Sequence, residues 1–542
     1  MQSLIQYRRL KTRVSHTRSQ YELTNQSSSS SSPPQKNLED DGSILITPEF
    51  DPTDDSISPR TWSPFHRYRA FTIIWLLVFT QGWISTCDSN VTGPASETYH
   101  VSETAQTLAT GLFFVGLALG ALFAGPLSET FGRNPVYLFS TFGVLSFTLG
   151  SALSRNFGSE LVTRFLGGLC ASPTLSVYGG TLADLFSDEE RKARWPLFAL
   201  SPLLGPVLAP LVGGWIHDAG TDWRWTLWIG LAFGGAAFLL ALVVLPETFS
   251  PILLFWKAKH LRKMTGNEAY VAPIEKGKAL GKRLRTNLTR PATFFTTEAI
   301  VIFLGAYLVL IFVINFSFLS GLDFIFTMNY DLSPGITALA FVSIAVGVLI
   351  DVSVTPLYNR LANRVHRRQC RAFVKRKEVN TSTSDLESVA SNTADHTAAV
   401  ETLQDIPPEL SLLRAAIAAP FLPTSLFWLG WTNYASINPA SGYVATVFFG
   451  YALSAIFISS YQYIISSYET YSSSALASIT MARYIVSAGM VVATRPMYKG
   501  IGVHWTMTIL GTLALLLVPV PWMLLRYGHH VRAKSKFASS VE

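Results

Sequence analysis

AIVIFLGAYLVLIFVINFSFLSGL, residues 299 to 322, runs for 24 residues without an Asp, Glu, Lys or Arg. At 1.5 Å of rise per residue a helix of that length covers the ~30 Å of hydrocarbon in a bilayer, and only a helix satisfies its own backbone polar groups there. Charge-free runs recur at 70–87, 104–128, 134–154, 195–217, 225–246, 332–350 and 500–525. The stretch Ala415–Tyr468 is also charge-free but too long for one helix, and Asn433, Ser436, Asn438, Pro439 and Gly442 divide it in two. Adding Glu160–Ala183 and the Arg483-containing segment near 474–494 gives twelve spans. Charged residues make up 14% of the chain, well under the quarter usual for globular proteins, and a soluble core would need charged helix faces that these runs lack. The fold class is therefore an all-α membrane protein.

The basic residues orient the spans. The segment 247–297 after span six holds ten Lys and Arg, including Lys257, Lys259, Arg262, Lys263, Arg283 and Arg285. The segment after span eight adds eight, including Arg364, Arg367, Arg368, Lys375, Arg376 and Lys377. Residues 89–104 and 323–331 have none and carry Glu97, Glu103, Asp323 and Asp331 instead. Both termini and the two basic segments are thus expected in the cytosol. The net charge of +7 reads as a topology signal with some contact to anionic lipid headgroups, and nucleic-acid binding is not expected. Expected boundaries are a disordered tail at 1–69, a six-helix half at 70–246, a central loop at 247–297, a second six-helix half at 298–525 with an insertion at about 357–411, and a tail at 526–542. The Ser/Thr/Asp-rich stretch 378–405 within that insertion reads as a disordered loop.

Cys87, Cys170 and Cys370 give neither a disulfide framework nor metal spacing, so no metal is expected. No cleavable signal peptide stands at the start. A phosphate loop is missing as well, which removes ATP as a direct energy source. Asn90-Val91-Thr92 is a glycosylation sequon in the first external loop.

Several motifs narrow the function. The loop GPLSETFGRNP (Gly125 to Pro135) after span two is echoed faintly by TPLYNRLANRV (Thr355 to Val365) after span eight, at the same place in each half. Arg164 interrupts span four in SELVTRFLGGLCASPT, where a charge is costly unless it faces a cavity or a partner; snorkelling to the outer interface is the alternative. Span five, ALSPLLGPVLAPLVGGWIHD, repeats Pro202, Pro206 and Pro210 every four residues beside a ridge of Gly205, Ala209 and Gly213. Proline weakens the helix ladder locally and small residues let a neighbour approach, which suits an element that rocks. Arg483 interrupts span eleven as either a cavity charge or a packing partner of Glu469. Asp88, Glu298 and Asp351 lie near span ends and read as solvated caps, and His217 and Asp218 as interfacial polar residues. Phe113, Phe114, Tyr178, Phe316, Phe318, Phe324, Phe326, Tyr461 and Tyr463 are candidates to line a cavity for planar or amphiphilic molecules.

These motifs, in this order, resemble the major facilitator superfamily and in particular its fungal twelve-span drug:proton antiporters, over roughly residues 62 to 537. The resemblance implies two six-helix halves around one central cavity. It implies a conformational latch at Gly125, Glu129, Gly132 and Arg133 with Asp184 as partner, although Glu129 stands where Asp is usual and Asn134 where a second basic residue is common. It implies proton coupling at Arg164, and an antiporter motif at Gly205, Pro206, Pro210, Gly213 and Gly214. Pro246, Glu247, Thr248 and Pro251 match the span-six exit element, and Pro407 to Thr432 resembles the ninth span. The expectation is a proton-driven, monomeric exporter without a cofactor, moving a small hydrophobic or amphiphilic drug, toxin or secondary metabolite across a plasma membrane, and not an enzyme. The alternatives are a same-fold carrier of a nutrient-like solute such as a polyamine, and a non-transporting receptor or scaffold.

Overall fold

The charge-free runs become helices in the computed structural model, which describes residues 2–12, 36–38, 44–46, 58–267, 293–381, 407–468 and 472–535, with a few positions between 269 and 290 and Phe537. Six spans form the first half: α1 (Pro64–Thr86), α2 (Glu103–Phe131), α3 (Arg133–Ala152), α4 (Phe157–Leu185), α5 (Asp188–Asp218) and α6 (Trp225–Val244). The second half has α7 (Ala299–Tyr330), α8 (Pro334–Ser353), α9 (Leu413–Ala418 and Phe421–Trp431), α10 (Ala440–Tyr468), α11 (Ser472–Ile501) and α12 (Val503–Leu517 and Pro519–Ala533). Eleven of these segments, among the described residues, are long and apolar enough to cross a membrane. The twelfth, α4, has 29 residues but carries Glu160, Arg164 and Asp184. The all-α, twelve-helix expectation is met.

Local chemistry sets the helix starts. Ser102, Asn156 and Ser333 accept hydrogen bonds from the free N–H groups at the heads of α2, α4 and α8. Ser187 and Glu190 form a reciprocal capping box at the head of α5.

Packing repeats with an offset of six spans. In the first half α2 packs on α4, α1 on α5 and α3 on α6; in the second α8 packs on α10, α7 on α11 and α9 on α12. Glycines make the closest crossings in both halves. Gly116 of α2 lies against the backbone of Phe165 and Leu169 and Gly168 of α4 against that of Phe113, while Gly347 of α8 and Gly450 of α10 meet in the same manner. Side chains larger than hydrogen would collide with backbone at these four places. The halves join along two seams, α2 against α11 and α5 against α8.

Two expectations of disorder, at residues 1–69 and at the start of 378–405, need correction. Residues 2–12 are helical rather than a disordered tail, and 36–38 pairs with 44–46 as a short antiparallel hairpin. Leu10 is buried, and Tyr7 packs on Trp256 and His260 of a helix at Ser250–Thr265 in the central loop. The apolar residues of this short helix were hidden inside a polar stretch. The basic segment after span eight is a helix, Thr355–Thr381, so the insertion begins as ordered chain. Residues 382–406, most of the stretch read as a disordered loop, lie outside the described residues.

Within α5 the prolines have a traceable cost. Pro210 has no N–H, so the carbonyl of Pro206 loses its partner in the helix ladder. Thr86 Oγ1 of α1 donates to that carbonyl at 3.0 Å. Replacing Thr86 by the isosteric Val should therefore destabilise the detergent-purified protein by about 1–2 kcal/mol, the cost of one buried, unpaired carbonyl. In a Pro210→Ala background, where the new alanine supplies the missing N–H, the loss should fall by at least half. Equal melting shifts in the two backgrounds would refute this account.

Candidate functional site

Near the head of α4, Arg164 projects into α1. It is 2% exposed, donates to the Ile84 carbonyl at 2.9 Å and forms an ion pair with Asp88. Thr110 of α2 donates to the other oxygen of Asp88 at 3.2 Å, and the ring of Phe113 faces the guanidinium. Asp88 is thus a buried counter-ion and not a solvated cap: the chain turns inward after Thr86, and a desolvated guanidinium needs an anion beside it. The snorkelling alternative for Arg164 does not hold in this geometry. One turn before Arg164, Glu160 is fully buried and accepts from the Gln106 amide at 3.1 and 3.2 Å. Sequence reasoning passed over Glu160; its signal was an acidic residue four before the arginine, on the same helix face.

At the opposite end of this half the residues expected to form the latch surround Arg133. Its Nε donates to Asp184 at 3.0 Å, Nη1 donates to Ser128 at 2.7 Å, and the guanidinium lies over Phe249. Glu129 is exposed beside this cluster. Gly132 adopts φ +96°, and a Cβ there would stand 2.6 Å from the Glu247 carboxylate. That carboxylate accepts from the backbone N–H groups of Arg133 and Asn134 at the head of α3 and from those of Thr248 and Phe249. Burial pushes the Glu247 carboxyl above its usual range against the pull of these four donors. The span-six exit element and the loop after span two are therefore one structure: Glu247 caps α3, and glycine at 132 makes room for it. Gly125 lies one turn before Glu129 on α2, while Pro246, Thr248 and Pro251 flank Glu247 and begin the helix at Ser250–Thr265.

The α5 motif has two working faces. Gly205 lies against Phe79 and Trp83 of α1, where an added Cβ would stand 2.6 Å from the Phe79 carbonyl, and Pro206 meets Gly82. Gly213 faces Cys87 and Asn90, while Gly214 faces Pro334 and Ala338 of α8 across the seam. Asn90 is 6% exposed, and its amide donates to the Pro210 carbonyl at 3.0 Å. The sequon asparagine is therefore packed against α5, unlike the exposed loop position that a glycan acceptor requires.

Other ionic contacts departed from expectation. Asp351 is fully buried, held by Arg414 at 2.5 and 2.8 Å and by Ser454 at 2.6 Å. Glu298 is buried and accepts from Tyr468 at 2.9 Å and Ser535 at 2.6 Å. Both sit near span ends, as expected, but neighbouring helices cover them instead of water. Asp218 joins the halves at the outer end of α5 by accepting from Ser333 at 2.7 Å and from the N–H of Gly335 at 2.9 Å. Glu103 of α2 pairs with Arg495 of α11 across the other seam.

Of the nine candidate aromatics, Phe114, Tyr178, Phe316 and Tyr461 belong to one group of rings drawn from both halves and joined through Trp195, Tyr484 and Arg483. Phe114 stacks on Tyr484 at 5.9 Å and packs on Phe316 at 4.3 Å, and Trp195 stacks on Tyr461 at 6.2 Å. The remainder lie elsewhere: Phe113 at Arg164, Phe318 on Phe449, Phe324 on Tyr498, Phe326 on Tyr443, and Tyr463 near Glu409 and Arg532. Arg483 stands inside the central group. Glu469, expected as its packing partner, lies outside the described residues.

Comparison with known proteins agrees with this architecture. The family model described as Major Facilitator Superfamily matches residues 71–374. The MFS-type transporter kojT of Aspergillus flavus is 38% identical over 491 residues, covering 90% of this chain and 82% of its own. The MFS-type efflux pump MFS2 of Trichophyton rubrum is 30% identical, covering 89% and 76%. Among solved structures, the xylose transporter XylE from E. coli in a partially occluded inward-open conformation superposes with a TM-score of 0.55 at 15% identity, covering 85% of this chain and 99% of the other.

Truncating one partner of a buried ion pair costs more than removing both. Asp88→Ala should destabilise the protein by about 3–5 kcal/mol, seen as a lower melting temperature and lower yield, because it strands Arg164. Asp88→Ala combined with Arg164→Leu should recover most of that loss; a double variant no more stable than the single one would contradict the pairing.

Proposed function

Because the chain belongs to the major facilitator superfamily, and is a multi-pass membrane transporter rather than an enzyme, we propose that it exports small hydrophobic or amphiphilic compounds in exchange for protons. The compound is a drug, a toxin or a secondary metabolite, and the site of action is the plasma membrane with both termini in the cytosol. One chain supplies both halves, so the transporter works as a monomer, drawing on the proton gradient and using no cofactor.

The observation that carries this reading is the buried group of Arg164, Asp88 and Glu160. Ionisable side chains inside a membrane bundle are expensive and by default mark a proton or substrate path. Glu160, held by the Gln106 amide one turn from Arg164, is the carboxylate of this group that carries the proton, and its gain or loss of charge alters the surroundings of Arg164. Loss of that proton to the cytosol would restore the charge. Arg164 contacts α1, and α1 crosses α5 at the Gly82–Gly205 contact, so the ionisation state of one carboxylate bears on the helix that also packs across the seam onto α8. Alternating access of a central site then results from rocking of one half on the other. Export as the direction is supported by the α5 motif and by relatives that are named efflux pumps. The polyamine alternative fits less well, since the central aromatic group holds a buried cation, Arg483, which repels a polycation.

In cells lacking other pumps, expression should lower retention of a hydrophobic dye or antifungal, and a protonophore should abolish the effect. Increased uptake would overturn the direction. Arg164→Ala should remove transport by more than about tenfold while leaving membrane insertion intact. Glu160→Gln keeps the shape and the Gln106 contact but cannot ionise; it should lose gradient-driven export while retaining downhill substrate exchange. Unchanged driven export in Glu160→Gln would take Glu160 out of the proton path.

A further inference from the structure

Five arginines are buried among the described residues: Arg164, Arg414, Arg483, Arg495 and Arg532. Four have a carboxylate partner, respectively Asp88, Asp351, Glu103 and Glu409. Arg483 has none among the described residues. It is 5% exposed, its Nη1 donates to the Tyr461 hydroxyl at 3.1 Å, and its Nε has no partner. The groups around the guanidinium are aromatic: Phe312 at 4.0 Å and Tyr484 at 4.7 Å, then Phe457 at 5.7 Å and Tyr461 at 6.0 Å from the ring centres. Arg483 also lies eleven residues past Ser472, the first residue of α11, or about 16 Å of helix rise.

Ring faces attract a cation, but they leave unused the forked N–H geometry that matches a planar anion. Two further unpaired hydroxyls adjoin the site in sequence: Ser487, one turn along α11 from Arg483, and Ser460, next to Tyr461 on α10. The position also lies between the two halves. Phe312, Phe457, Tyr461 and Tyr484 come from the second half, while Phe114 stacked on Tyr484 and Trp195 stacked on Tyr461 come from the first. Parting the halves along these stacks uncovers Arg483 and the ring faces together.

From this geometry we infer that Arg483 anchors the anionic group of an aromatic acid, whose ring replaces the inter-half stacks on Tyr461 and Tyr484. The substrate class is thus planar arenes carrying a carboxylate or a comparably acidic oxygen. The inference rests on the transporter reading and sharpens its substrate.

The test uses the purified full chain in detergent micelles at near-neutral pH, without a proton gradient. Binding of benzoate, salicylate and naphthoate, of their amides, and of phenylethylammonium is read by thermal shift and by tryptophan fluorescence. The acids should bind at least about tenfold more tightly than the amides, equivalent to about 1.4 kcal/mol, and phenylethylammonium should bind weakest. Arg483→Gln should remove the preference for acids while leaving amide affinity within about twofold, and Arg483→Lys should keep part of it because the charge remains without the fork. Equal affinity for acid and amide in the unaltered protein, no binding of any of the acids, or an intact preference in Arg483→Gln would overturn the inference. The unaltered protein decides the matter even if Arg483→Gln fails to fold. Acid preference without driven export would strike the export reading alone; driven export without acid preference would strike this one alone.

Discussion

A guanidinium keeps its charge at any pH a cell meets, so a protein that takes one out of water must supply the surroundings that water gave up. That requirement organises this molecule. Arg164 ties α4 to the Ile84 carbonyl of α1 and to Asp88 just past its end, Arg414 ties α9 to α8 and α10 through Asp351 and Ser454, and Arg495 ties α11 to α2 through Glu103. Each pair joins helices distant in sequence, and each would be a liability if its partner moved away. Fixed cations make the choice of helix neighbours depend on single carboxylates, because losing one anion leaves a buried charge without a partner.

The close helix crossings complement this. Hydrophobic burial gives little preference between a helix neighbour and a lipid tail, so the halves cohere through backbone approach. Gly116 and Gly168 in the first half and Gly347 and Gly450 in the second hold equivalent crossings. The weak echo of the Gly125 loop after span eight is thus the surviving sequence trace of a repeat that the packing retains more fully. Structure constrains backbone contact at a few small residues and leaves the rest of each face free to diverge.

The span count and the all-helical class were legible because they rest on run length and charge, while short motifs singled out Arg164, Arg133, Asp184 and Gly205, whose contacts only the fold displays. Depth was not legible. Asp88, Glu298 and Asp351 stand at run ends, where hydropathy cannot separate a carboxylate facing water from one facing a neighbouring helix. Asn90 failed for the same reason: a sequon in a short external loop looks exposed until the loop folds under α5. Glu247 carried a motif but no visible purpose, since its role depends on α3 beginning beside the end of α6, a contact made 114 residues apart. The central aromatic group needed both halves assembled before four of nine candidate rings could be told from the rest.

The first dozen residues make a contact that sequence alone hides. Gln6 exchanges two hydrogen bonds with the backbone of Glu247, donating to its carbonyl and accepting from its N–H, while Tyr7 rests on His260. Glu247 in turn holds the head of α3. Residues 2–12 are therefore fastened to the residue that caps α3 and fixes the loop before it. An epitope tag, a fluorescent reporter or a proteolytic cut placed within residues 2–12 thus acts on the folded body of the transporter.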